Sequence, residues 1–223
     1  MYKNTSSPAI LLLEDGTIFY GKGAGAIGIS GGEICFNTGM TGYQEIFTDP
    51  SYYGQLMVMT NVHIGNYGTQ VNESESDKIH IAGLVCRNFS SQYNRSLADD
   101  SLQQFLSKLN IAAIYDVDTR AIVRHIRSHG AMNALVATDS SDMPTLKAYL
   151  SKVPNMNGLE LASKVSTNVI YDVGNPNAKI KIAVLDFGIK KSILVQLAKY
   201  DYNIRVFPAH TTFAEINNWN PDA

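Results

Sequence analysis

Two cysteines and five histidines are the residues of this chain whose chemistry has to be weighed first, together with one glycine-rich run. A nucleophilic cysteine at a sharp turn needs small neighbours and access to solvent. Cys35 stands between Ile34 and Phe36, and Cys86 between Val85 and Arg87, so neither is expected to act as a nucleophile. His63, His80, His125, His129 and His210 are dispersed. His125 and His129 share a helix face at i, i+4, a spacing that can hold a metal, but Ile126, Arg127 and Ser128 between them supply no glutamate of the HExxH kind. No metal site is expected. The run GKGAGAIGISGG (21–32) has the composition of a phosphate cradle. A dinucleotide fingerprint needs a following helix, and a P-loop needs a lysine and a hydroxyl after its last glycine. A strand follows instead, so bends and bulges are expected there and no nucleotide.

The densest pattern lies between Gly32 and Thr69. Gly39, Gly42, Asp49, Pro50, Ser51 and Gly54 form turns, yet they are interleaved with Met40, Tyr43, Ile46, Phe47, Tyr52 and Tyr53. Large apolar residues seek burial, so this reads as an ordered loop packed by its aromatics between strands at 33–36 and 56–59.

Elements must position that loop. Alternation predicts strands at 9–13 and 17–20, joined through Asp15-Gly16 as a hairpin. Residues 71–77 read as polar and exposed, and 79–86 as a strand. Asp99 or Asp100 is expected to cap a helix running to Leu109, with Leu102, Phe105, Leu106 and Leu109 at helical spacing. A buried strand follows at 111–117, then a helix from Thr119 to His129 that turns Ile122, Val123 and Ile126 inward and stops at Gly130. Arg120, Arg124 and Arg127 on that helix admit three readings: a solvated face, a docking surface, or an ion pair with Asp116 or Asp118. A strand at 132–138, a helix at 144–150 and a helical turn within 158–165 complete the first region. Residues 172–177 (DVGNPN) read as a linker. Beyond it the pattern becomes βαβ: a strand at 180–186, a turn at Gly188, a helix at 190–200 burying Ile193, Leu194 and Leu197, and a strand at 203–207.

Three segments carry a resemblance to a known family. FNTGMTGYQEIFTDPSYYGQ with NVHIGNYGT (36–69), DVDTRAIVRHIRSHGAMNALV (116–136) and IAVLDFGIKKSIL (182–194) resemble, in order, the small, glutamine-hydrolysing subunit of carbamoyl-phosphate synthetase. The resemblance implies an α/β chain in which residues 1–172 form a mixed β/β/α amino-terminal domain. Residues 173–178 are then a linker, and 179–223 the first part of a flavodoxin-like, parallel-sheet class I glutamine amidotransferase domain. It also implies that no catalytic residue is present, because the family's cysteine, histidine and glutamate lie beyond Ala223. Ser51, within Thr48-Asp49-Pro50-Ser51-Tyr52, is implied to contact glutamine as a site the first domain lends to the second. The implied partner is a large subunit that uses ATP and Mg with bicarbonate to make carbamoyl phosphate for arginine and pyrimidine synthesis. Ser192 and Val195 depart from the asparagine and arginine frequent in the family. The rival reading is a non-catalytic docking or scaffold module. A mononucleotide binder at Asp186-Phe187-Gly188 would lack its phosphate loop.

Composition fits these readings. The chain has 223 residues, 45% hydrophobic and 17% charged, as expected of an ordinary soluble globular protein of one or two domains. A net charge of -2 provides no field for nucleic acid. Two cysteines in apolar contexts suit a cytosolic, cytoplasmic setting rather than a disulfide framework. Glu14 and Asp15 interrupt the first apolar run before it could serve as a signal core, and no stretch approaches the ~18 apolar residues of a membrane span.

Overall fold

Alternation along the first strands decides the architecture. In the computed structural model, which describes residues 7–139 and 141–223, β1 (Pro8–Leu13) and β2 (Ile18–Gly25) form the expected hairpin, with Leu11 opposite Phe19. Asp15 ties its turn by accepting from the Thr17 amide at 2.9 Å. There follow β3 (Ile29–Asn37), α1 (Tyr43–Thr48), a 3-10 turn at Pro50–Tyr52, β4 (Leu56–Met59), β5 (His63–Ile64), a 3-10 turn at Val71–Glu73, β6 (Gly83–Val85) and β7 (Asn88–Phe89). Then come α2 (Leu102–Lys108), β8 (Ala112–Tyr115), α3 (Thr119–His129), β9 (Asn133–Ala137) and α4 (Met143–Leu150).

The strands close into a barrel in the order β1-β2-β8-β6-β4-β3-β9, with β3, β4, β6 and β8 mutually parallel. One set of alternating residues, including Leu11, Leu13, Leu56, Val58, Val85, Ile114 and Val136, packs together with Ile122 and Ile126 of α3. The opposite set divides between two helical covers. Met57, Met59, Leu84 and Ala113 pack with Tyr43 and Phe47 of α1 and Leu102 and Leu106 of α2, whereas Leu12, Leu135 and Ala137 pack with Leu146 and Leu150 of α4. The central strands are therefore buried on both faces, which is why β4 reads as a continuous apolar run. Each such side chain, fully buried, contributes about 1.5–3 kcal/mol.

Several sequence expectations are corrected here. The glycine-rich run is not mainly bends, because Gly21 to Gly25 lie within β2. A Cβ on Gly21 would stand 2.4 Å from the Tyr115 carbonyl oxygen on neighbouring β8, so close approach rather than a turn requires the glycine. The loop after β3 contains α1, whose Tyr43 and Phe47 are buried one turn apart. Ser101, not Asp99 or Asp100, caps α2 and accepts from the Gln104 amide; Asp99 instead accepts from the Val71 amide and Asp100 pairs with Lys108. Leu109 is exposed. The strands expected at 79–86 and 111–117 shrink to β6 and β8, the latter ending where Asp116 takes φ +63°. Residues 71–77 are only partly exposed, since Glu73 pairs with Arg95 and the Ser76 hydroxyl donates to the Thr48 carbonyl.

A second compact unit comprises Asp49–Ser51 and Leu159–Ala223, the division falling after Gly158. It contains α5 (Ala162–Val165), β10 (Tyr171–Gly174), β11 (Ile180–Asp186), α6 (Lys191–Ala198), β12 (Tyr202–Pro208) and α7 (Phe213–Asn218). Its sheet runs β10-β12-β11, with β11 and β12 parallel as expected and β10 antiparallel. The linker expected at 172–177 is corrected by this arrangement, because its first half is β10. An edge strand has little to bury and reads as polar. Asp172 faces its register partner Arg205 and accepts from Nε at 2.6 Å and Nη2 at 2.8 Å. Leu194, Ile204 and Val206 form this unit's core, while Ile193, expected inward, is exposed.

Candidate functional site

The segment carrying Ser51 is held by hydrogen bonds that its own sequence supplies. Within the barrel unit, the Tyr67 hydroxyl oxygen accepts from the amides of Gly42 at 2.9 Å and Tyr43 at 3.2 Å. The Tyr43 hydroxyl donates to the Gly68 carbonyl at 2.5 Å, and the two rings stack with centroids 4.2 Å apart. Gln44 reaches the same neighbouring segment twice, donating to the Gln70 carbonyl at 2.6 Å and accepting from the Gln70 amide at 2.8 Å. Asn37 donates to the Tyr52 hydroxyl at 3.1 Å. Tyr43, Phe47 and Tyr52 of the motif are thus structural, as the packed-loop reading expected, whereas Met40, 73% exposed, and Tyr53, 36% exposed, stay outside.

Within the second unit, Asp49 is buried and organises the turn. Its Oδ1 accepts from the Ser51 amide at 2.9 Å, and its Oδ2 lies 3.3 Å from the Lys190 ammonium. The Ser51 side chain is exposed, and its hydroxyl has no hydrogen-bond partner among the described residues. Turn capping is therefore the work of Asp49, and the Ser51 hydroxyl is left to donate to and accept from something else. Beside it, Gly188 adopts φ +101°, and a Cβ there would come within 3.1 Å of Pro50 and 2.8 Å of Val165. Asp186, also buried, accepts from the amides of Gly188 and Ile189 with one oxygen and from Thr167 with the other. Both of its oxygens are thus occupied by backbone amides, which leaves the Asp-Phe-Gly turn no free carboxylate for a nucleotide. Lys190 and Gly188 carry no sequence signal as neighbours of the Asp49–Ser51 turn, because about 140 residues separate them from it in the chain.

The other candidates fall elsewhere. Burial, with a smaller effect from Glu33, pushes the Cys35 thiol up to about 12, and burial raises that of fully enclosed Cys86 further. At neutral pH both are protonated thiols. His125 donates from Nε2 to Asp15 Oδ2 at 2.6 Å and stacks on His129 with centroids 4.1 Å apart, while His129 Nδ1 donates to the His125 carbonyl. Among the described residues no group of three or more His, Cys, Asp or Glu is placed to hold a metal ion. Of the readings for Arg120, Arg124 and Arg127, ion pairing with Asp116 or Asp118 is excluded by geometry. Asp116 pairs with Lys22 at 3.1 Å, and Asp118 caps α3 by accepting from the Ala121 amide at 2.9 Å. No helix among the described residues is long and apolar enough to cross a membrane.

Comparison with known proteins gives this geometry a family. The model of the carbamoyl-phosphate synthase small chain, CPSase domain, matches residues 11–136, from the first barrel strand into the last. The carbamoyl phosphate synthase small chain of Chlorobaculum tepidum is 43% identical over 215 residues, covering 96% of this chain and 59% of that relative. Those of Synechococcus and Nostoc are each 39% identical and cover 96% of this chain, but 58% and 59% of their own lengths. The chain therefore spans somewhat under two thirds of the curated relatives it matches. This chain belongs to the carbamoyl-phosphate synthase small chain family, with its barrel unit as the CPSase domain.

Proposed function

We propose that the whole small subunit to which these residues belong hydrolyses glutamine and hands ammonia to a large synthetase subunit. That partner would use ATP, Mg and bicarbonate to make carbamoyl phosphate for arginine and pyrimidine synthesis. The observation that carries the reading is the family match across the barrel together with the 59% share of the relative's length. Residues 1–223 supply the amino-terminal domain and, in β11, α6 and β12, the opening of a flavodoxin-like amidotransferase sheet. The catalytic cysteine, histidine and glutamate belong to the part of the subunit outside this segment. Segment 1–223 alone should therefore release no ammonia from glutamine, in keeping with the half-buried, protonated thiol of Cys35 and the enclosed thiol of Cys86.

In the same reading Ser51 contacts glutamine. Its uncommitted hydroxyl stands on a turn stiffened by Pro50 and fixed by Asp49, so little ordering entropy remains to be lost on binding. In the full-length subunit with its large subunit, Ser51→Ala should raise the KM for glutamine while ammonia-dependent synthesis is retained, because added ammonia bypasses the site. Equal loss of both activities would show the residue to be structural.

A further inference from the structure

Of the six arginines of this protein, three are engaged by the fold and the other three stand together on one helix face. Arg95 pairs with Glu73, Arg205 with Asp172, Lys22 with Asp116, Lys108 with Asp100 and Lys190 with Asp49. Arg87 donates to the Val117 carbonyl. The remaining arginines, Arg120, Arg124 and Arg127, are exposed and have no partner among the described residues. All three lie on α3, whose sequence TRAIVRHIRSH contains no acidic residue. At 100° per residue they fall within about 60° of one another, and over seven residues they extend about 10 Å. The face that packs inward is formed by Thr119, Ile122 and Ile126, so the arginines are not needed to seat the helix.

Local energetics give them no other role. A cation in the last turn is favourable, which accounts for Arg127, but Arg120 stands in the first turn, where the helix dipole opposes positive charge. Arginines at i, i+4 and i, i+3 also repel one another, at about 0.2–0.5 kcal/mol a pair. Three guanidiniums on a rigid helix, each a planar fork matched to a carboxylate, form a surface complementary to acidic groups on another molecule.

We propose that the Arg120, Arg124 and Arg127 face of α3 docks an acidic protein surface on the large subunit and accelerates assembly of the two. This rests on the functional reading above, which supplies the partner. A polynucleotide is the less suitable polyanion, because Asp116 and Asp118 precede the stripe and the chain as a whole carries a net charge of -2.

The test is the association rate of the full-length small subunit with its large subunit, measured by stopped-flow from about 50 mM to about 500 mM salt, a range over which surface fields become screened. The wild-type rate should fall steeply with salt. Replacing the three arginines with glutamine should lower the low-salt rate about tenfold and flatten the salt dependence, with a smaller change in dissociation. Replacement with lysine should restore most of the rate. If the wild-type pair forms at a salt-independent rate, or the glutamine variant associates as fast as wild type, the docking face is refuted while the functional reading stands. If the triple variant does not fold, the single replacements Arg120→Gln, Arg124→Gln and Arg127→Gln decide the matter: each should lower the low-salt rate about twofold, and three singles with the wild-type rate would refute the docking face. If no complex forms with wild type, both fall together. Tighter binding of the wild-type subunit to a duplex DNA oligonucleotide than to the large subunit would assign the stripe to nucleic acid and overturn the proposal.

Discussion

Tyr67→Phe removes a single oxygen, yet it should loosen the loop that carries Ser51. That oxygen accepts from two backbone amides, Gly42 and Tyr43, at the entry to α1. Phenylalanine keeps the ring and its stacking on Tyr43, so packing is little changed. What is lost is the acceptor. A buried donor left without a partner costs about 1–3 kcal/mol, and these two lie in a part-buried region, so water recovers some of that and about 2 kcal/mol in total is expected. At 1.4 kcal/mol per tenfold, the Gly42 and Tyr43 amides should exchange with solvent about 30-fold faster in the variant. Hydrogen exchange at those two amides reads this directly, with no need for a two-state unfolding curve in a chain of two units. Tyr43→Phe is the control, because it removes the bond to the Gly68 carbonyl and leaves both bonds to Tyr67 intact. Unchanged protection of Gly42 and Tyr43 in a folded Tyr67→Phe protein would refute the reasoning.

The Asp172 and Arg205 pair holds the Asp172 carboxyl below its usual range, chiefly through the hydrogen bond from the guanidinium. Its contribution is therefore present above about pH 4 and is lost as pH falls through the lowered folded value. Both groups are partly exposed, so Asp172→Asn should cost under ~1 kcal/mol near neutral pH and progressively less as the pH is lowered below about 4, as thermal melts across that range would show. Gly21→Ala drives a methyl against the Tyr115 carbonyl oxygen and should destabilise the barrel by about 2 kcal/mol; a variant melting with wild type would disprove the close approach. Iodoacetamide at about pH 8 should modify Cys35 more than a hundredfold slower than a free thiol, whose pKa is near ~8.5, and rapid labelling of the folded protein would contradict its burial.

Sequence legibility followed the range of the interactions involved. The β1–β2 hairpin, α3 with its stop at Gly130, and the β11–α6–β12 unit could be read because hairpin turns, helix caps and apolar runs are local signals. Closure of the barrel could not, since pairing β2 with β8 joins residues far apart in the chain, and alternation alone does not say which strand lies alongside. α1 was hidden by Gly39, Gly42 and Pro50, whose turn chemistry masks six residues of helix. β10 was hidden by its own exposure, because a strand with little to bury carries no alternation. Of the candidate site, Ser51 was named only through the family resemblance. Its setting on a turn capped by Asp49, with Lys190 on Asp49 and Gly188 against Pro50, arises from residues about 140 positions away and had no local signature.

The parallel pairing of β3 with β4 has a consequence for the segment between them. Antiparallel neighbours can be joined by two residues, but parallel ones need a return path of a dozen or more, because the chain must travel back along the full length of the strand before re-entering in the same direction. The stretch from Thr38 to Gln55, with α1 and Ser51 in it, is that return path. It cannot be trimmed to a tight turn without losing the β3–β4 ladder, and with it the centre of the barrel. Chain connectivity therefore obliges every folded form of this domain to present the turn that bears Ser51, so deletion scanning across it should abolish folding before it can report on glutamine. Only point substitution can separate the chemistry of this segment from its duty as a connection.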